Sequence, residues 1–172
     1  MEEDTSPFWR FSLTVYGDPG VQTECLDLQD HFGIDVNLLL FCAFIGAVYG
    51  VVLPDRDMEA AAGLVCAWHQ DVVGSLRRAR RALKPIATDA SPILSLAAKL
   101  RAEVKASELE AERIEQMMLE RWSKTRIEGW ARRRPADAVA DNIRTLLSTC
   151  GGSARQPELP RHLLAAALGR RA

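Results

Sequence analysis

Two short stretches hold the side chains that acid–base or metal chemistry needs. DLQDHFGID supplies Asp27, Asp30, His31 and Asp35, and WHQD supplies His69 and Asp71. Imidazole and carboxylate together make a base with its orienting partner, or part of a metal shell. The spacing is not diagnostic, because there is no H-E-x-x-H pair and no Glu-x-x-His repeat. Taken singly, each histidine reads as a surface or hydrogen-bonded structural residue. If the two helices that carry them pack together, His31, His69 and Asp30 or Asp71 can form a metal site or a base–orienter pair. Gln29 and Asn37 flank the same loop; with Trp9, Asp30 and Asp35 they outline a polar pocket beside an apolar helix. GDPG, at Gly17 to Gly20, is no phosphate loop, since it lacks the GK[ST] ending and a preceding strand.

The clearest electrostatic feature is Arg77, Arg78, Arg80, Arg81 and Lys84, with Arg77, Arg81 and Lys84 on one helical face. Such a face can contact the phosphates of RNA or DNA. The pI of about 6.3 argues against a dedicated nucleic-acid domain, which usually exceeds about 9. Residues 1–60 hold 11 acids and 2 bases, and residues 61–172 hold 12 acids and 20 bases. The acidic half can neutralise these arginines within the fold or across a dimer. A protein surface or a second copy is therefore preferred to nucleic acid as their partner.

Helices must position these groups. Ala and Leu are abundant, and no run alternates apolar with polar residues as a half-buried strand would. Ser6 and Pro7 open a helix to Tyr16, and a second runs from about Gly20 to Phe32 with Gly33 as its C-cap. Asp35 caps a third, from Val36 to about Val52, that is apolar all round. Gly46 and Gly50 stack on one face of it and let a neighbouring helix approach. Its sixteen uncharged residues, Leu38 to Leu53, reach about 24 Å, short of the ~30 Å hydrocarbon layer. Asp35 and Asp55 flank it, so a core helix is expected and not a membrane span. A fourth helix runs from Arg56 or Asp57 to Pro85. A fifth runs from Ser91-Pro92 to about Trp122, with Ile93, Ala97, Leu100, Val104, Ala111, Ile114 and Met118 as its apolar stripe. A sixth runs from Ala136 to Thr149. The expected fold is all-α, a single bundle of about six helices over residues 7–150, with residues 151–172 a flexible tail carrying a short helix. Cys25, Cys42, Cys66 and Cys150 form no CxxC pair and read as reduced thiols. The acidic start MEEDTSPFWR is neither a secretory signal nor a transit peptide, which points to the cytoplasm.

Phe8-Trp9, Phe11-Ser12, Tyr16, Pro19-Gly20-Val21, Leu28-Gln29 and the run Asp35 to Phe41 form a combination that resembles a widespread proteobacterial family of small proteins, described as a domain of unknown function. The resemblance covers roughly residues 8 to 125 and brings no established activity or catalytic residues. Function therefore rests on the residues. The leading reading is a non-enzymatic, bacterial interaction or adaptor protein, possible as a homodimer, with no cofactor and no resident metal. One alternative is an enzyme, small-molecule or metal binder built on Asp30, His31, Asp35, His69 and Asp71. The other is nucleic-acid or ribosome association through Arg77 to Lys84.

Overall fold

The computed structural model describes residues 6–86, 92–149 and 157–169. Local signals set most helix ends. Ser6 caps α1 (Pro7–Tyr16) by accepting from Trp9 N–H at 3.1 Å. Asp18 caps α2 (Pro19–Phe32), which stops at Gly33 in the left-handed region (φ 67°). Asp35 caps α3 (Val36–Phe44) through the N–H groups of Asn37 and Leu38. Each such cap stabilises its helix by about 1 kcal/mol.

From Asn37 to Phe44 every residue of α3 is buried, which makes it the centre of an all-α bundle. Phe8 stacks on Phe44 (5.0 Å between centroids) and meets the edge of Phe41 (5.6 Å). Trp122 closes over Phe41 at 6.4 Å. Among the described residues no helix is long and apolar enough to cross a membrane.

The third helix ends earlier than its composition implies. A π-helical turn, Ile45–Tyr49, follows α3, and Gly50 (φ 63°) stops it. Val51–Val52 (β1) then pairs antiparallel with Ala131–Arg132 (β2), a two-residue ladder too short to show as alternation. The two glycines therefore do different jobs. Gly46 is the packing glycine: a Cβ there would lie 2.5 Å from Val139 N, in the backbone of α7 (Pro135–Thr149). Gly50 is the stop, and its carbonyl accepts from Arg133 N–H at 2.7 Å.

The fourth expected helix is one rod in three parts: α4 (Asp55–Trp68), a π-helical turn (His69–Val73) and α5 (Gly74–Ile86). It runs antiparallel to the 33-residue α6 (Pro92–Lys124). The buried stripe of α6 is only in part the apolar one expected. Ala111 of the expected stripe is buried and Ala97, Val104, Ile114 and Met118 are half-buried, but Leu100 is exposed, and Glu108, Glu115, Gln116, Leu119 and Glu120 take the innermost positions. Ile93 lies outside the residues whose side chains are described. Beyond α7, α8 (Arg161–Ala167) packs into the core through Leu163, and Glu24 of α2 accepts from its His162 and Leu163 N–H groups at 3.0 Å each.

Candidate functional site

Asp35, His69 and Glu115 converge from three elements. Asp35 stands at the cap of α3, where its Oδ1 is tied to Asn37 N–H at 2.8 Å and Leu38 N–H at 3.3 Å. That leaves Oδ2 aimed at His69, 3.2 Å from Nδ1. His69 opens the π-helical turn between α4 and α5, a local widening that recurs at functional sites. From α6, Glu115 places Oε2 and Oε1 at 3.2 and 3.3 Å from the same Nδ1. The beginning of α6's inner stretch is pinned beside it, where Trp68 Nε1–H donates to Ala111 O at 3.0 Å. Side-chain exposure is 22% for His69, 16% for Asp35 and 0% for Glu115, so the cluster opens to solvent on the Asp35–His69 side only.

Its electrostatics are unbalanced. Two carboxylates face one imidazole, and Nδ1 can donate only one proton between them. Burial, then the charge and hydrogen bond of Glu115, push the Asp35 carboxyl up to about 7, against the opposing pull of His69 and the Leu38 N–H. The Glu115 hydrogen bond raises His69 above the ordinary imidazole range; burial opposes it, and the charges of Asp35 and Glu115 add to the rise. A cluster in this state holds extra protons or another cation.

The donor set suits a divalent ion. One ligand atom from each of the three residues lies within 4.8 Å of the other two. Bonds of about 2.1 Å from one ion to two donors 3.2 Å apart open an angle of about 100°, between octahedral and tetrahedral values. One nitrogen and two carboxylates favour zinc, manganese or ferrous iron over copper or calcium. Three protein ligands leave at least one position open, as in metal sites that act on a bound molecule.

A pocket of about 310 Å³ adjoins the cluster between α1, α2, α5 and α6, and Asn37, Arg77, Glu112 and Gln116 line it. A buried chain of bonds forms its floor: Ser12 Oγ–H donates to Gln116 Oε1, and Gln116 Nε2–H to Asn37 Oδ1, each at 2.9 Å. Arg77 bonds Glu112 (2.7 Å) and Glu108 (3.1 Å), and Arg80 also clamps Glu108. Burial works to raise Glu108, but Arg80 and Arg77 outweigh it and hold its carboxyl low. For Glu112 burial wins over Arg77 and its carboxyl sits high.

The residues singled out in the sequence therefore separate. Asp35 and His69 meet. Trp9, Gln29, Asn37, Arg77 and Arg81 line the pocket. Asp30 pairs with Arg81 at 3.1 Å on its outer side, half-exposed. His31 does not join His69; it turns back to Asp27 at 3.0 Å in solvent. Asp71 is exposed, Arg78 bonds Ser75 in its own turn at 2.9 Å, and Lys84 is exposed. Gly46 faces α7 and Gly50 ends a helix, both remote from this chemistry. The missed residue is Glu115. A sequence signal existed: Ala111 and Leu119 bracket it at four-residue spacing, which puts it on a buried stripe.

A family model described as "Protein of unknown function (DUF2390)" matches residues 7–119. The chain belongs to this family. The match contains Asp35, His69, Glu115 and every residue of the pocket, and it stops before α7 and α8. No curated protein and no solved structure matches the chain.

Proposed function

We propose that this DUF2390 protein binds a divalent first-row transition ion through Asp35, His69 and Glu115. The observation that carries the reading is the placement of two carboxylates at 3.2 Å from one imidazole nitrogen, with Glu115 fully buried and no arginine or lysine bonded to it among the described residues. Buried carboxylates need a compensating charge, and an ion supplies one without moving a side chain far.

The test is calorimetric titration of chelator-stripped protein with Zn²⁺ and with Mn²⁺. One ion per chain is expected for at least one of them, with affinity lowered roughly tenfold or more in H69A, E115Q and D35N. D35N is informative because asparagine keeps the helix cap and removes the anionic donor. Absence of binding for both ions, or binding indifferent to all three substitutions, would falsify the reading.

A second reading, docking of a second copy, draws support from Leu96 and Leu100, four residues apart on α6 and both exposed. The charge division along the chain also suits two copies meeting head to tail. Light scattering on wild type and L96E/L100E decides it: a dimer that the double substitution dissociates supports self-association, and a monomeric wild type removes it.

A further inference from the structure

The pocket has a character of its own, independent of any ion at Asp35, His69 and Glu115. Its rim collects three of the largest exposed apolar side chains, Leu13 (54%), Leu26 (46%) and Leu109 (47%), around the half-buried rings of Trp9 and Tyr16. Exposed leucines are ordinary when scattered; three around one concavity mark a binding surface. At about 310 Å³ the space lies at the small end of ligand sites and is too small for a folded partner.

The polar lining is cationic. Arg77, Arg80, Arg81 and Lys105 face it against Glu108 and Glu112. Both carboxylates are engaged by Arg77 and Arg80. Arg81 shares its charge with Asp30 in solvent, and Lys105 makes no ion pair among the described residues. The pocket therefore carries surplus positive charge at its mouth, in a chain whose net charge is −1. An apolar wall with a basic edge complements a molecule with an apolar body and one anionic end.

We infer that the pocket between α1, α2, α5 and α6 binds a small amphipathic anion, its apolar body against Trp9, Leu13, Leu26 and Leu109 and its carboxylate or phosphate between Arg81 and Lys105. The carboxylate and phosphate forms share this chemistry, and the experiment separates them.

Chelator-treated protein is titrated with decanoate, decyl phosphate, acetate and decyltrimethylammonium. Removing metal keeps the outcome separate from that of the ion-binding test. Expected are one site per chain for decanoate or decyl phosphate, with acetate and the cationic surfactant at least about tenfold weaker. The stronger of the two anions names the head group. R81E/K105E lies on exposed side chains and should lower anion affinity at least about tenfold with an unchanged melting temperature. Leu109→Asp tests the apolar wall in the same way. The inference is overturned if neither anion binds at about 1 mM, if the cation binds as well, or if R81E/K105E leaves the affinity unchanged.

Discussion

Asn142 offers the sharpest test of how the bundle is closed. It is fully buried on α7. Its Oδ1 accepts from Leu53 N–H at 2.9 Å, and its Nδ2 donates to Val51 O at 3.0 Å and Cys42 O at 3.3 Å. One side chain thus satisfies the backbone where α3 has ended and β1 leaves the core. Asn142→Ala strands the Leu53 N–H and the Val51 carbonyl away from water. Each orphaned group costs about 1–3 kcal/mol, so the pair comes to about 4 kcal/mol. That is a large part of the roughly 5–15 kcal/mol of a typical domain, and it lowers the melting temperature by about 10 °C at this chain length. Urea unfolding measures it, with the midpoint falling and the slope held. Asn142→Asp keeps the acceptor for Leu53 but turns an anion toward two carbonyls. It should be at least as damaging at pH 8 and recover partly at pH 5, where a protonated carboxyl can donate. A loss under about 1 kcal/mol for Asn142→Ala, or an Asn142→Asp variant as stable as wild type at pH 8, would refute the accounting.

Two glycines should respond with opposite signs. G46A forces a Cβ to within 2.5 Å of Val139 N and 2.7 Å of Val139 Cα and should lose about 1–3 kcal/mol, whereas G63A, mid-helix with nothing within 4 Å, should gain about 0.5–1 kcal/mol; denaturant midpoints for the two variants must separate in that order. In chelator, stability should fall as the pH rises from 5 to 8. A raised Asp35 carboxyl, about 7, contributes stability that is complete below the unfolded carboxyl value and lost as the pH climbs to the folded one; His69, also raised, contributes stability below its unfolded value that is lost above its folded one, so both slopes have the same sign. D35N should flatten the melting-temperature profile, and a wild-type profile rising from pH 5 to 8 would contradict the assignment. Burial pushes the Cys25 thiol up to about 12 while Cys66 is exposed; iodoacetamide at pH 8 should alkylate Cys66 in folded protein and reach Cys25 only in urea, as peptide mass mapping will show.

What the sequence made legible was local. Ser6, Asp35 and Gly33 act at the helix ends where their side-chain oxygens or missing Cβ predict, and Leu38 to Phe44 had to be enclosed because no side of that helix is polar. The end of that helix was illegible, because Gly50 in a helix and Gly50 after one are the same letter; the pairing of Val51 with Arg132, far away in the chain, selects the second. The polar part of the inner face of α6 is illegible for a related reason. A stripe of Glu108, Glu115 and Glu120 reads as solvated until Arg80, His69 and Ser6 are seen to reach it from other elements. His31 and His69 looked equivalent by type and by neighbours. They differ because His69 lies at the π-helical turn facing α6, and His31 lies near the end of α2 facing water.

That stripe also says which carboxylate is unusual. Glu108 faces Arg77 and Arg80, and Glu112 faces Arg77, guanidinium groups that stay charged at any working pH. Glu120 takes a hydroxyl from Ser6 and the ammonium of Lys124 at 3.2 Å. Glu115 alone among these four meets a titratable cation and a second carboxylate. A protein that needed only to fold could have closed this position with another arginine, as it does two turns earlier at Glu108, or with an apolar pair of the same volume, which is often the more stable choice. Instead, three titratable groups lie within 4.8 Å of one another, with no arginine or lysine bonded to them among the described residues. An ion bound here, as proposed above, would compete with the protons that Asp35 and His69 take up. Competition between them is measurable: E115Q removes a negative charge and should weaken the ion while raising the stability of the ion-free protein at pH 8.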